Sequence, residues 1–155
     1  MASYKGRFRP KRPEKYRGDP TNIIYRSSWE LKLMRKFDEH PDIIEWQSEE
    51  VIVPYMNPMK GKPSRYYPDF VIKKKIGEDK YQVIMIEVKP KKQTSAPDLA
   101  NKYKTPTGRV SRRFLNEAAT YAVNEAKWKA AQKFCQERGW VFTIMTENEI
   151  KPLGK

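Results

Sequence analysis

Two strand-like segments joined by a short turn lie in the middle of the chain. Residues 66–75 and residues 81–89 are rich in β-branched and aromatic side chains, and the Gly-Glu-Asp turn at 77–79 separates them. This pattern predicts an antiparallel β-hairpin. A hairpin of two apolar strands is stable only when further strands or helices cover its apolar faces. We therefore expect the rest of the chain to pack against this hairpin.

The ends of this hairpin carry charged residues. Glu87 and Lys89 are two residues apart in the second strand, and they therefore share one face of it. Asp69 enters the first strand after Pro68, and the hairpin is expected to place it beside Glu87. Two neighbouring carboxylates repel each other and raise a pKa unless a cation lies between them. The opposite face of the second strand is the predicted core face and carries Ile84, Ile86 and Val88.

The residue types available for a metal site are few. His40 is the only histidine and Cys135 is the only cysteine. An internal disulfide and a thiol-based zinc site are therefore excluded, and a metal ion would be held mainly by oxygen ligands. Such ligands favour Mg²⁺, or Mn²⁺ in its place, over Zn²⁺. Lys89 would then place a positive charge near a water molecule or a phosphate.

Charge and length indicate the class of partner. The chain has 155 residues, enough for one domain with a hydrophobic core, and a net charge of +13. Such an excess favours a polyanion, with nucleic acid as the first candidate. No stretch approaches the roughly 18–20 apolar residues of a membrane span, and the N-terminus lacks the apolar region of a secretory signal. We expect an intracellular protein with no membrane partner.

Two segments hold the candidate DNA-binding residues. Residues 1–20 contain seven Lys or Arg and are interpreted as an extended basic N-terminal arm, with a disordered solubilising tail as the alternative. Residues 89–113 contain eight Lys or Arg, and so long an irregular segment is usually functional or mobile. The candidates are Lys5, Arg7, Arg9, Lys11, Arg12, Lys91, Lys92, Lys102, Lys104, Arg109, Arg112 and Arg113.

The remaining pattern predicts an α/β or α+β domain over residues 21–155, with a small mixed sheet flanked by helices. A helix follows Ser27 or Ser28 and ends at His40-Pro41. We expect further strands at 45–54 and 140–146 and two helices at 111–121 and 125–137, with Asn124 capping the second and Gly139 ending it. Residues 147–155 are expected to form a short terminal helix or tail.

The hairpin residues resemble a known nuclease motif. Pro68-Asp69, seventeen intervening residues and Glu87-Val88-Lys89 are similar to the motif of the PD-(D/E)XK nuclease superfamily. The resemblance implies a restriction-endonuclease-like core, with Asp69, Glu87 and the backbone carbonyl of Val88 as metal ligands and Lys89 as a catalytic residue. It also implies that a helix glutamate, here Glu30, contacts the metal directly or through water. Ser27 to Glu30 also matches a helix capping box, and the two roles are compatible.

A closer resemblance covers nearly the whole chain. The runs "PEKYRGDPTNIIYRSSWE", "VIVPY", "IEVKPKKQT" and "RRFLNEAATYAVNEAKWKAAQKFCQERGWVFTIMTE" are similar to the head-completion nucleases of T4-type tailed bacteriophages. The resemblance implies a magnesium-dependent deoxyribonuclease, endo- or exonucleolytic, that acts on the ends of packaged double-stranded DNA late in virion assembly, before tail joining. Head or portal proteins would be its partners, and the host cytoplasm or the virion its location.

Two alternatives remain open at this point. The chain could be a mainly structural DNA-binding protein of head completion, or a junction-resolving or transposon-end nuclease of the same fold. The latter enzymes need a dimer for paired cuts, and the sequence leaves the oligomeric state open.

Overall fold

The computed structural model describes residues 5–153 of the chain. Four of its strands form one mixed sheet in the order β3-β6-β7-β8, and two pairs, β1-β2 and β4-β5, form separate two-stranded sheets. The strands in the described range are β1 (Gly6–Phe8), β2 (Ile23–Tyr25), β3 (Ile43–Ser48), β4 (Val53–Asn57), β5 (Lys62–Tyr66), β6 (Phe70–Gly77), β7 (Lys80–Val88) and β8 (Val141–Met145).

The predicted hairpin forms the centre of the main sheet. β6 pairs antiparallel with β7, with Phe70 opposite Ile86 and Ile72 opposite Ile84. β6 also pairs antiparallel with β3, and β8 pairs parallel with β7. The expectation of a small mixed sheet flanked by helices is confirmed.

Helices cover both faces of this sheet. One core lies on the side of α1 (Ser28–Glu39) and α3 (Glu147–Ile150), where Phe70 and Ile86 pack with the helix residues. The other core lies under α2 (Arg112–Arg138), where Met85 packs against Trp128 and where the β4-β5 pair also contributes. Both Met85 and Ile86 have no exposed surface, so β7 is buried on its two faces near its end. No helix in the described range is long and apolar enough to cross a membrane.

The strand predicted at 45–54 is wrong, because it is two strands in two sheets. The chain leaves the main sheet after Ser48, and Glu49 has a positive φ of 53° that a regular strand does not allow. β4 then pairs with β5 instead of continuing β3. The predicted strand 66–75 is likewise divided, since Tyr66 ends β5 and β6 begins at Phe70.

The two helices predicted at 111–121 and 125–137 are one helix of 27 residues. Asn124 was expected to cap the second of them, but it lies within α2 and is only 7% exposed. No glycine or proline occurs between Arg112 and Arg138, and a helix continues through an asparagine when neighbouring side chains pack against a core. Gly139 ends the helix in a left-handed conformation, as predicted.

The interpretation of residues 1–20 as an extended arm is corrected for the part that the structure describes. Phe8 and Tyr16 are each 7% exposed and belong to the core beside α1, and residues Gly6–Phe8 pair with β2. Both aromatic rings pack edge-on against Trp46. The segment is therefore an integral layer of the domain, and its aromatic side chains do not project toward a partner.

Asp38, near the end of α1, holds this segment in place. Its carboxylate accepts hydrogen bonds from the backbone N–H of Lys11 (2.8 Å) and of Arg12 (3.0 Å). The Lys15 ammonium donates to the backbone carbonyls of Asp38 and His40. A buried carboxylate is tolerated here because backbone donors satisfy it.

We predict that Asp38→Ala lowers the free energy of unfolding by about 2–4 kcal/mol, because it leaves two backbone N–H groups without an acceptor. Urea denaturation measures the change. Glu39→Ala is the matched control: its ion pair with Lys11 is exposed and contributes less than about 1 kcal/mol. Equal effects of the two substitutions would contradict the anchoring role of Asp38.

Candidate active site

Asp69 and Glu87 lie side by side where β6 begins and β7 ends. Phe70 is paired with Ile86, so the preceding Asp69 comes opposite Glu87. The backbone N–H of Val88 donates to Oδ2 of Asp69 at 2.7 Å. The structure therefore brings together the two carboxylates that the sequence placed on neighbouring strands.

Glu87 is a buried carboxylate, with 6% of its surface exposed. The indole N–H of Trp128 on α2 donates to its Oε2 at 3.5 Å. The Tyr66 hydroxyl is also buried and has no hydrogen-bond partner among the described residues. Burial and then the charge of Glu87 raise the pKa of Tyr66, which places the hydroxyl near that carboxylate.

Two residues of the site, Trp128 and Tyr66, were not predicted from the sequence. Trp128 is separated from Glu87 by 41 positions, and Tyr66 belongs to the small β4-β5 pair. Nothing in their local sequence separates them from ordinary core aromatics. The one signal available was the helical repeat of α2, which places Trp128 on the face that covers the sheet.

The electrostatics of the pair are unfavourable without a cation. Burial, followed by the charge of Glu87, raises the pKa of Asp69 far above its ordinary value, and the charge of Glu30 adds to the effect. The hydrogen bond from Val88 opposes the shift without cancelling it. A proton or a positive ion is therefore needed for both carboxylates to remain close together.

Glu30 lies in the first turn of α1, as expected from the capping pattern. Its backbone N–H donates to the Ser27 hydroxyl oxygen at 3.1 Å, and the Ser27 hydroxyl donates to its Oε2 at 3.3 Å. Burial raises the pKa of Glu30, and the charge of Glu49 adds to the effect. Glu49 itself forms an ion pair with Arg26, a contact that the sequence did not indicate.

The structure does not group Glu30 with the pair as a direct third ligand. Within residues 5–153, no three Asp, Glu, His or Cys side chains are arranged to hold a metal ion together. Glu30 is near enough for its charge to act on Asp69, so a contact through water remains its predicted role.

Lys89 follows the last residue of β7, and its backbone N–H donates to the Met145 carbonyl at 3.0 Å. Its side chain is half-buried. The Lys89 ammonium forms no hydrogen bond or ion pair with the described residues, so it remains available to a ligand.

The candidate DNA-binding residues are mostly exposed. Those of the N-terminal segment (Lys5, Arg7, Arg9, Lys11 and Arg12) are all exposed, as are those of residues 89–113 apart from Lys102, which is half-buried. Some are already engaged: Lys11 pairs with Glu39, Arg113 pairs with Glu117, and the Lys102 ammonium lies 5.3 Å from the Tyr103 ring centre. Between Lys89 and the start of α2 at Arg112, the described structure contains only two short 3-10 turns, as the irregular sequence predicted.

The donor set fits a magnesium or manganese ion. Asp69 and Glu87 supply carboxylate oxygens, which are the ligands these ions prefer, and a divalent cation offsets the repulsion that raises the pKa of Asp69. In the described range, neither His40 nor Cys135 joins the two carboxylates in a group of three that could hold a metal ion. Cys135 contacts Met85 in the core, and His40 accepts a hydrogen bond from the Asp42 backbone N–H.

We predict that Asp69→Asn stabilises the metal-free protein at pH 8. The ordinary aspartate pKa is 3.8 and the folded value is about 8, so the folded state loses stability as pH rises between these values. Removing the ionisable group should raise the free energy of unfolding at pH 8 by at least about 1.4 kcal/mol, the equivalent of one pKa unit. Urea denaturation in EDTA at pH 4 and pH 8 measures the change.

The same wild-type stability at both pH values, or a destabilised variant, would contradict the unfavourable charge pair. Asp79→Asn, in the exposed turn at the other end of the hairpin, is the control and should follow the wild type.

The chain is similar to a known endonuclease family. The family described as TnsA-like endonuclease N terminal matches residues 40–147, which include β3 to β8 and both carboxylates of the pair. A small mixed sheet flanked by helices is the restriction-endonuclease-like core that the motif implied.

Two curated proteins show similarity to the chain. The head completion nuclease of Enterobacteria phage T4 is 41% identical over 152 residues, which cover 98% of this chain and 97% of that protein. Inositol-3-phosphate synthase 1-A of Xenopus laevis is 33% identical over 54 residues, only 9% of its own length, and this short match does not show a shared family. The chain therefore belongs to the TnsA-like endonuclease family and to the family of the phage T4 head completion nuclease.

Proposed function

We propose that the chain is a metal-dependent deoxyribonuclease that hydrolyses phosphodiester bonds during phage head completion. The observation that carries the proposal is the pair formed by Asp69 and the buried Glu87, where burial and then the charge of Glu87 raise the pKa of Asp69. Two carboxylates this close can both stay charged only when a cation lies between them. The family membership supports the nuclease activity.

Asp69, Glu87 and the backbone carbonyl of Val88 would hold the ion, with Mg²⁺ as the first candidate and Mn²⁺ as a substitute. When bound, such an ion lowers the pKa of a coordinated water molecule and stabilises negative charge on a phosphate. Trp128 holds Oε2 of Glu87 by its indole N–H, which fixes the orientation of the carboxylate. Glu30 would contact the site through water.

Lys89 would act on the reacting groups directly. Its ammonium forms no hydrogen bond or ion pair with the described residues. Lys89 lies two positions after Glu87 in the chain. A positive point charge at this place would orient the attacking water molecule and stabilise the charge that develops on the phosphate.

The exposed cations would bind the DNA backbone without reading its sequence, because contacts to phosphates carry no sequence information. They lie on two parts of the chain, the N-terminal segment around Arg7 and Arg9 and the irregular segment from Lys91 to Arg113. The first of these is anchored to α1 through Asp38, so it would offer its cations from a fixed surface.

The similarity to a phage protein supports a proposal for the biological setting. The curated phage T4 protein is named a head completion nuclease and matches almost the full length of this chain. We propose the same role here, with the ends of packaged double-stranded DNA as substrate and head or portal proteins as partners. The place of action would be the host cytoplasm during assembly, or the virion itself.

We expect the purified protein to cut linear DNA in Mg²⁺ and to be inactive in EDTA. Asp69→Asn and Glu87→Gln should each lower the cleavage rate by at least about 100-fold, because each removes a charge from the metal site. Gel electrophoresis of linear, circular and branched DNA measures the rates, and Asp79→Asn should cut like the wild type.

Each outcome of this assay decides between functions. Cutting that survives both substitutions would overturn the assigned site. A folded protein that binds DNA but cuts none of the three substrates in Mg²⁺ or Mn²⁺ would favour the structural DNA-binding alternative. Cutting confined to branched DNA would favour a junction-resolving enzyme.

We predict that Lys89→Met lowers the cleavage rate by about 100- to 1,000-fold, the usual effect of removing one charge-stabilising group. Mn²⁺ affinity, measured by titration calorimetry, should change little because Lys89 is not a metal ligand. Lys89→Arg keeps the charge but changes its shape and should restore only part of the rate. A full rate in Lys89→Met would remove this residue from the mechanism.

A further inference from the structure

A cleft of about 610 Å³ lies between α2 and the segment that follows β7. One wall is the α2 face that carries Arg113, Tyr121 and Asn124, and the other is formed by the chain around Lys92 and Pro97. Binding sites for organic ligands have volumes of about 300–1,000 Å³, whereas a water molecule needs only about 30 Å³. The cleft is therefore much larger than a hydrated metal ion requires.

Asn124 is the residue that points to a ligand. It lines the cleft, yet it is 93% buried, since only 7% of its surface is exposed. No hydrogen bond among the described residues involves its side-chain amide. A polar group in a protein interior normally has a hydrogen-bond partner, and the Asn124 amide is not among the fully buried atoms that lack one, so it is open to the cleft. Its position in the wall means that a molecule in the cleft could provide that partner.

The other groups of the wall suit different parts of a nucleotide. The Lys92 ammonium is exposed and forms no hydrogen bond or ion pair with the described residues, so it is free to bind a phosphate. Arg113 uses Nε for its bond to Glu117 and retains its other guanidinium donors. The half-buried Tyr121 side chain lines the cleft and packs edge-on to Trp128, and an aromatic ring of this kind can stack with a base. An asparagine amide, donor and acceptor together, matches the edge of a base.

The cleft is also close to the carboxylate pair. Asn124 and Trp128 are four residues apart on α2 and so lie on the same side of the helix, and Trp128 donates to Glu87. Lys92 follows Glu87 by five positions. A base that is paired and stacked in a duplex cannot enter such a cleft, whereas an unpaired base can.

We propose that this cleft binds one unpaired nucleotide of a DNA end, so that the protein prefers duplexes with a single-stranded tail to blunt duplexes. Tyr121 stacks on the base, the Asn124 amide bonds to its edge, and Lys92 and Arg113 bind the adjacent phosphates. This inference rests on the proposed nuclease function and adds the structure of the substrate to it.

Fluorescence anisotropy in EDTA tests the proposal without cleavage. The probes are a blunt duplex, the same duplex with a short single-stranded tail at either end, and the tailed duplex with abasic sugars in place of the tail bases. The wild type should bind one of the tailed duplexes about 10-fold more tightly than the blunt duplex, a typical effect of stacking one base. The abasic tail should lose most of this preference.

Substitutions then locate the site. Asn124→Leu keeps the branching of the side chain but removes its polar atoms, and it should abolish the preference for the tail while leaving affinity for the blunt duplex unchanged. The Arg113 side chain is 86% exposed, so Arg113→Ala cannot disturb the core. This substitution should weaken binding of the tailed duplex more than binding of the blunt duplex. Lys133→Ala removes a charge from another exposed position of α2 and should retain the full preference for the tail.

Equal wild-type affinity for blunt and tailed duplexes would overturn the proposal, as would a preference that the abasic tail or the Arg113→Ala variant fully retains. The failure of the nuclease proposal is distinguishable from this. A protein that cuts DNA in Mg²⁺ but binds all probes equally overturns the cleft alone, whereas one that prefers the tail but never cuts keeps the cleft and overturns the nuclease.

Discussion

The burial of β7 on both faces and both edges determines the rest of the structure. β6 and β8 pair with its edges, the α1 core covers one face, and the α2 core covers the other. An ionisable side chain near the end of such a strand cannot keep its hydration. Glu87 is in this position, and its burial beside Asp69 follows from the same packing that makes the domain stable.

The helix α1 connects this site to the N-terminal segment. Glu30 occupies its first turn and acts on Asp69 through its charge, while Asp38 near its other end binds the backbone of Lys11 and Arg12. The helix packs through Phe37 against Phe70, the residue next to Asp69. The N-terminal segment, α1 and the carboxylate pair therefore form one packed unit. A change in the packing of the N-terminal segment can affect the carboxylate pair through the contacts of α1.

Local periodicity and motif spacing were enough to predict the centre of the fold and the meeting of the two carboxylates. Alternation along 81–89 indicated the faces of β7, and the turn at 77–79 indicated the hairpin. The errors arose where tertiary contacts override local preference. Glu49 takes a positive φ that ends β3, and Asn124 continues a helix that its capping preference would have ended.

Long-range partners were beyond local patterns for the same reason. The bond from Trp128 to Glu87 joins residues 41 positions apart, and the basic, proline-containing composition of residues 1–20 concealed the burial of Phe8 and Tyr16. A segment rich in charged residues still contributes two aromatic side chains to the core when its charged side chains alternate with them. Composition averages over charged and aromatic residues. It therefore could not distinguish an extended arm from a segment that packs against the core.

The continuity of α2 has a consequence for the pattern of DNA products. A helix of 27 residues is about 40 Å long and resists bending, so the four positions from Asn124 to Trp128 span a constant rise of about 6 Å. Two shorter helices with a break at Asn124 would have allowed Asn124 and Trp128 to move relative to each other. Because α2 is continuous, a nucleotide bound at Asn124 would keep a fixed distance from the Glu87 carboxylate, which bonds to Trp128. The cleaved bond would then lie a constant number of nucleotides from the bound nucleotide. The fragments released from different DNA ends would share a common length.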